Sequence, residues 1–584
     1  MNRISRILTG IAVTALAIAI YLASSAPRAL PTVQAASLQG TATVSGTVGS
    51  ARPFKAGKVY FRLPEKRMLY MVYTVAGHYT AMQLFPGNYE VSVQAKGLDS
   101  DVTKLTLKAG QHATLNLSLH ESTASDLRKD VTYQTFDEIY PPGTGRDVAV
   151  RTCVYCHGQD FLPNKHMDSR QWNEALDYMA GKNSRQGAMI QPKDLTDQNR
   201  KDLLEYLVKN FGPNSMARAV KVEVDLPVDE SKVAKAEYIE YYFPTDPPGQ
   251  GVNDPKYKTA GFAGGRRMGQ DPQVDPDGNI WVTDRGTPNR IVKLDPRTGE
   301  MKEWLTPEPK AGVHDLEIDR RNNLVWLPEN EGVPEGNLQL RAFNIKTEKW
   351  EQAYLLDPNK VIPESTLKHA QSLTLDSHGN IYNVFILGGG LGKWDRETHK
   401  MSTWLLPTAN AFPYGIVTDK YDNIWTAEFH GSKLARLEPK TGKITEYDPP
   451  TQPVLMRRLN VDSDGVRIWS GYFSAGKLIR LDPTTGKFTE WKIPHQVSQP
   501  YDFQPDNGTI WFSDAGQGGC IINFNPKTET FTYFPGPQRA DMPKIRLTSE
   551  GGIWYSPRSS QRYPGLGVLY PDITKITTLA AYPR

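Results

Sequence analysis

P-Y-G-I-V-T-D-K-Y-D-N-I-W-T-A-E-F, residues 413–429, reads as two short strands around a polar turn. K-L-A-R-L-E-P-K-T-G-K-I-T-E-Y follows at 433–447 and adds two more strands around a P-K-T-G turn. The unit recurs. Its second turn appears as K-L-D-P-R-T-G-E at 293, A-F-N-I-K-T-E-K at 342 and K-W-D-R-E-T-H-K at 393. It returns as R-L-D-P-T-T-G-K at 480, N-F-N-P-K-T-E-T at 523 and V-L-Y-P-D-I-T-K at 568. An aromatic keeps step after the first turn: Trp281, Trp326, Tyr382, Trp425, Trp469, Trp511 and Trp554. Seven copies spaced by roughly 43 to 56 residues predict a seven-bladed β-propeller over 236–584, because one blade cannot bury its own faces and a closed ring can. Y-I-E-Y-Y-F-P at 238–244 reads as an outer strand that arrives early and seals the ring against the last blade. The C-terminal I-T-K-I-T-T-L-A suits the same place, and the sequence leaves the two open.

Upstream, residues 38–122 alternate apolar and polar, as in K-V-Y-F-R-L and N-Y-E-V-S-V-Q-A, which predicts a small antiparallel β-sandwich. Residues 123–215 change to a helical pattern. Thr196 reads as an N-cap, Leu203, Leu204, Leu207, Val208 and Phe211 repeat at helical spacing, and Gly212-Pro213 ends the run. The fold class is therefore mainly β and multidomain: sandwich, α-helical domain, propeller. At the N-terminus, Arg3 and Arg6 precede an apolar run over 7–23 and a small-residue site at 33–35. Residues 1–35 read as a secretory signal, with an uncleaved membrane anchor as the alternative, and the rest as exported or periplasmic. With 68 basic and 64 acidic residues and no dense basic run, nothing points to nucleic acid.

The chain has three cysteines, two of them in C-V-Y-C-H at 153–157. That is too few for a disulfide scaffold, further zinc ligands at motif spacing are lacking, and a thioredoxin-like βαβ setting is absent. The histidine directly after the pair matches c-type haem attachment. Cys520 reads as a buried small residue of blade six.

With its closing amphipathic helix, the 123–215 segment resembles a small cytochrome c domain. The resemblance implies one covalent haem c, with thioethers from Cys153 and Cys156 and His157 as proximal iron ligand. Met179, on a W-x3-L-x2-M helix face with Trp172 and Leu176, and Met189, in a loop before the closing helix, compete as distal ligand; His166 and Met167 lie close to the motif. Core filling is the other use of each methionine. G-T-V-G-S and F-P-G-N-Y-E-V-S-V in the first region resemble carboxypeptidase regulatory-like domains, which implies a structural or docking role.

The blades resemble the streptogramin (virginiamycin B) lyase family. That implies a seven-bladed ring with histidines near the start of the inner strands of late blades and a carboxylate that binds a divalent cation such as Mg. The corresponding late positions here are Tyr501 and Lys544. His314 occupies the slot in blade two, His369 lies two residues before it in blade three, and Glu428 and His430 end what reads as an inner strand. Each also reads as a hydrogen-bonded structural residue, and together they suit a metal or anion pocket.

The expected function is haem-mediated electron transfer with a redox partner protein, coupled to binding or oxidation of a small-molecule or polymer ligand at the propeller. No flavin or nicotinamide fingerprint is present. The alternatives are a non-catalytic surface- or polymer-binding protein and a C–O lyase.

Overall fold

Asp419 explains the spelling of the repeat. One carboxylate oxygen accepts the backbone N–H groups of Tyr421 and Asn423 at 2.9 and 3.0 Å. The other accepts Asn423 Nδ2 at 3.0 Å and Trp425 Nε1 at 2.9 Å. The same set of four bonds closes on Asp275 in the first blade and, with the Tyr382 hydroxyl in place of an indole, on Asp376 in the third. One carboxylate thus fixes the turn and anchors the blade's buried aromatic. Asp419→Ala is expected to cost about 2–3 kcal/mol, because it strands a buried indole N–H and two turn amides. An unchanged urea midpoint would refute this account. In the D-P-x-T-G turns, Asp295 and Asp482 accept the N–H two residues on, at 3.0 and 2.9 Å. Gly299 and Gly486 take φ values of +76° and +70°, which glycine adopts without strain.

The computed structural model describes residues 38–584 apart from 123–131, 155–158, 160, 183–189, 191–193, 221–225, 258–262, 265, 331–337, 363–368, 496–497, 517–518, 539, 541 and 559–562. Six antiparallel four-stranded sheets follow one another from Gly269 to Pro535. Each inner strand is followed outward by the aromatic-bearing second strand, then by the third and fourth. The expectation of seven blades is corrected to six. Among the described residues, the seventh repeat forms no sheet of its own. Its strands Ile545–Leu547, Ile553–Tyr555 and Gly565–Tyr570 belong to a thirteen-stranded sheet.

The strand Glu237–Tyr242 is the reason. It pairs antiparallel with Gly565–Tyr570 on one edge and with Met68–Tyr73 on the other. It therefore fills the outer place beside the last repeat, but it is no outer edge. The nine strands between Ala42 and Glu121 continue the sheet beyond it. All six residues of Met68–Tyr73 and all six of Glu237–Tyr242 are buried. Met71, Tyr73, Tyr238, Trp511, Ile545 and Leu569 share one apolar cluster across this seam. The Tyr73 and Tyr238 hydroxyls donate to the carbonyls of Pro535 and Phe534 at the end of blade six. The residues 573–575 form a 3-10 turn, so the C-terminal run does not compete for the place.

The helical segment has its own apolar cluster. Helix Ser169–Met179 is capped by Asp168, and helix Asp197–Phe211 by Thr196, whose hydroxyl accepts the Asn199 N–H at 3.2 Å. Trp172, Leu176, Leu203, Leu207 and Phe211 pack with Cys153 between these helices. Residues 38–584 form one compact unit, and no described helix is long and apolar enough to cross a membrane.

Candidate functional site

Five blades break register at the same point of the inner strand: Gly269/Pro272, Ala370/Leu373, Pro413/Ile416, Met456/Leu459 and Pro500/Phe503. A bulge interrupts the alternation of faces and re-aims the residues it contains. The bulged pairs are Gln270-Asp271, Gln371-Ser372, Tyr414-Gly415, Arg457-Arg458 and Tyr501-Asp502. Together with His314-Asp315 of blade two and Lys544 of the last repeat, they meet across the centre of the ring.

Asp315 is the hub. It accepts His314 Nδ1 at 2.7 Å, Ser372 Oγ at 2.7 Å and the two Arg458 terminal nitrogens at 3.0 and 3.2 Å. Lys544 Nζ lies 3.4 Å from it and 2.7 Å from Asp271. Burial would raise the Asp315 carboxyl, but Arg458, Lys544 and His314 outweigh it and hold it well below the carboxylate range. Burial lifts Asp271 to about 6 against the pull of Lys544. Burial and the Arg285 charge keep His314 neutral, well below its usual range. Its Nδ1–H must then donate to Asp315, so Nε2 accepts from Gln371 Nε2 at 3.1 Å. The result is a buried histidine–aspartate pair held in one tautomer, whose weakly basic Nε2 is taken up by the Gln371 amide.

Above this hub sits a second network. The Tyr414 and Tyr501 hydroxyls are 2.7 Å apart, and Arg457 donates to Tyr501 at 2.6 Å and to Tyr414 at 3.3 Å. The Arg457 guanidinium lies 4.2 Å from the Phe473 ring centre and 4.7 Å from that of Tyr501. Burial pushes Tyr414 up, but Arg457, Arg558 and Arg458 prevail and hold the phenol at about 8. His369, half-buried, is kept at about 4 by burial and Arg285.

Of the sequence candidates, the ring brings His314 into the channel, as it does Tyr501 and Lys544, and puts His369 beside Arg285. Glu428 and His430 are corrected: Glu428 ends the second strand, Ile424–Glu428, and His430 follows it, so neither is on the inner strand. The T-A-E-F-H-G run was misplaced because both strands of the hairpin carry apolar alternation. His430 packs on Phe412 with ring centres 4.4 Å apart. Glu428 is fully buried, and burial followed by the Glu446 charge raises its carboxyl to about 8. Because that value lies above the unfolded one of about 4.3, the folded state holds the extra proton between those limits, and stability falls as pH rises through them. Glu428→Gln is expected to flatten this decline and to gain roughly 2 kcal/mol at about pH 9, read from urea midpoints across pH. A midpoint that falls with pH as steeply in the variant as in the parent would contradict it.

Cys520 is buried in the third strand of blade six, and burial pushes its thiol well up. Cys153 is buried, Met179 ends its helix half-buried, and exposed His166 meets Ser215 Oγ at 2.9 Å. Cys156, His157 and Met189 lie outside the described residues. Among the described residues, no group of three or more His, Cys, Asp or Glu is placed to hold a metal ion.

Sequence reasoning missed Arg285, Arg457, Arg458 and Arg558. Strict alternation turns only one of two neighbours inward, and the bulge is what brings in the pair Arg457-Arg458. The two-residue inner slot, repeated at the blade spacing, was the available signal.

Fold and site together define a β-propeller with a charged, aromatic-lined central channel. Residues 363–568, which span blades three to six and reach the closing sheet, match the virginiamycin B lyase family, so this part of the propeller is similar to that family. Among solved structures, virginiamycin B lyase from Staphylococcus aureus is 22% identical with a TM-score of 0.45, over 52% of this chain and 94% of that one. A streptogramin B lyase structure is 21% identical with a TM-score of 0.46, over 57% and 97%. The extracellular domain of a two-component system protein from B. thetaiotaomicron is 16% identical with a TM-score of 0.41, over 52% and 38%. No curated protein matches the chain.

Proposed function

We propose that the chain is an exported c-type cytochrome fused to a lyase-like propeller, which passes electrons to a redox partner protein and takes up its substrate or partner at the propeller channel. The observation that carries this reading is C-V-Y-C-H at 153–157, whose first thiol is buried among Ile139, Val148, Trp172, Leu176 and Leu207. Two thiols and an adjacent imidazole are the donor set for covalent haem, and an apolar surround is the setting that keeps water from it. Cys153 and Cys156 would hold the group and His157 would take the proximal side, with Met179 or Met189 distal. When bound, it supplies one-electron chemistry. The chain's own part is to tether it, to exclude water with the Trp172–Leu207 cluster, and to pack the start of the motif, Cys153 and Val154, against the two capped helices. In the same reading residues 38–122 are the carboxypeptidase regulatory-like module and 123–215 the cytochrome module.

The test is the dithionite-reduced spectrum of protein matured with the haem-attachment machinery. Bands of c type, and a haem-sized mass increase lost in a variant carrying Cys153→Ala and Cys156→Ala, are expected. Colourless protein with both thiols unmodified overturns the reading.

A C–O lyase reading draws on the family match and on His314 with its Asp315-oriented imidazole. It expects opening of a cyclic depsipeptide that depends on a divalent cation and is lost in His314→Ala. Absence of turnover with Mg or Mn removes it, and colourless, inactive protein would leave a surface- or polymer-binding role.

A further inference from the structure

Tyr414 and Tyr501 reach one point from blades four and six, with Arg457 of blade five between them. Their hydroxyl oxygens are 2.7 Å apart. Arg457 Nη1 donates to Tyr501 at 2.6 Å and to Tyr414 at 3.3 Å, and Arg558 Nη1 donates to Tyr501 at 3.5 Å. Two neutral phenols carry two protons, and their mutual contact uses one. The second needs an acceptor. Among the described residues neither hydroxyl is offered one, because every other partner of the pair is an arginine N–H. The two oxygens are arranged for one proton and one negative charge.

Cations surround the pair. The Arg457 guanidinium lies 4.7 Å from the Tyr501 ring centre and 5.3 Å from that of Tyr414. Arg458 lies 5.6 Å from the Tyr414 ring centre and Arg558 5.7 Å from that of Tyr501. Arg285 of blade one also interacts with both phenols. The neighbouring acids face elsewhere: Asp315 takes Arg458, His314 and Ser372, and Asp502, next to Tyr501, takes the Ile545 N–H. Burial opposes ionisation of Tyr414, yet Arg457, Arg558 and Arg458 hold it at about 8. Burial and, against Arg457, the Tyr414 charge raise Tyr501. The pair thus gives up one proton readily and keeps the other.

Tyr414 keeps 7% exposure against 1% for Tyr501, so it is the member a proton reaches first. Ile386, Phe412, Phe429 and Phe473 cluster with the two rings, with half-buried Leu387 and Leu455 against them, a lining that suits an apolar molecule. We propose that the Tyr414–Tyr501 pair holds one proton instead of two and is the proton acceptor of the channel, acting on a weakly acidic C–H or O–H group of a small, apolar-bodied molecule. In that step the C–H or O–H bond breaks and an O–H bond forms on Tyr414, whose own hydrogen lies toward Tyr501. The electron pair stays on the substrate atom, beside the arginines, and the tyrosine pair becomes neutral. This deepens the channel half of the proposed function and rests on that half, not on the haem.

Near-ultraviolet difference spectra across pH, between the full-length protein and its variant carrying Tyr414→Phe and Tyr501→Phe, test the shared proton; haem bands common to both cancel. One tyrosinate is expected to form in the parent at about pH 8, ahead of ordinary phenols at about 10, and to be missing from the variant. Nitrobenzisoxazole, which opens when a base removes its carbon-bound proton, probes the acceptor. The parent is expected to open it at least about tenfold faster than the variant, at a rate that rises as the early tyrosinate forms. Tyr414→Phe alone is the milder change, and it is expected to move the early titration upward, since the Tyr501 phenolate loses the donor at 2.7 Å. A parent without an early tyrosinate, or one retained in the double variant, overturns the shared proton. Equal opening by parent and double variant overturns the acceptor. The reduced haem spectrum of the same samples reports separately on the cytochrome reading.

Discussion

Asp315→Ala is expected to destabilise the propeller by about 3–5 kcal/mol, the cost of leaving buried cations without their counter-charge. The carboxylate is fully buried and joins four parts of the ring: His314 on its own blade, Ser372 on the third, Arg458 on the fifth and Lys544 on the closing sheet. Removing it strands the Arg458 guanidinium, which is buried and whose charge Asp315 does most to favour against burial. It also frees His314 from the partner that fixes its tautomer. Adding Arg458→Met to the alanine variant is expected to recover part of the loss, because the pair is removed together. Urea unfolding of both variants, followed by tryptophan fluorescence, measures the effect. An Asp315→Ala protein that unfolds at the parental midpoint would mean that the network is solvated and supports nothing.

Deletion of residues 38–122 is expected to abolish a soluble, monomeric propeller. The deletion removes Met68–Tyr73, whose six residues are all buried. It uncovers Tyr238, Trp511, Ile545 and Leu569, which share a cluster with Met71 and Tyr73; at about 1.5–3 kcal/mol per large side chain fully uncovered, the loss is on the order of 5 kcal/mol, a large part of a domain's stability. It also lays bare one edge of Glu237–Tyr242, an apolar strand with unpaired backbone groups, which invites pairing with another chain. Size-exclusion chromatography and thermal melting of the truncated protein decide the matter. A monodisperse propeller with an unshifted melting point would show that the seam is decorative, as expected of a loosely docked accessory module.

The blades were legible in the sequence because their signals are local. An aspartate caps its own turn within six residues, as Asp419 does toward Trp425, and a glycine takes the left-handed turn position its hairpin needs. The early strand at 238–244 was legible as a partner of the last repeat for the same reason, through its pattern. Its second partner was not. Pairing of Tyr238 with Met71 joins residues far apart in the chain, and strand periodicity says which face is buried but never which strand lies alongside. Hence seven blades were expected where six stand free. In the site, His314, Tyr501 and Lys544 were found by counting along the repeat. Arg458 was passed over because it neighbours Arg457, and a regular strand would have turned it away.

The seam also sets an order of events. Met68–Tyr73 leaves the ribosome first, Glu237–Tyr242 next, and only then the blades, with Gly565–Tyr570 near the end of synthesis. The nascent chain can therefore prepare the berth for its final strands before a single blade has been translated, and through most of elongation that berth stays open to any passing strand, its own or another's.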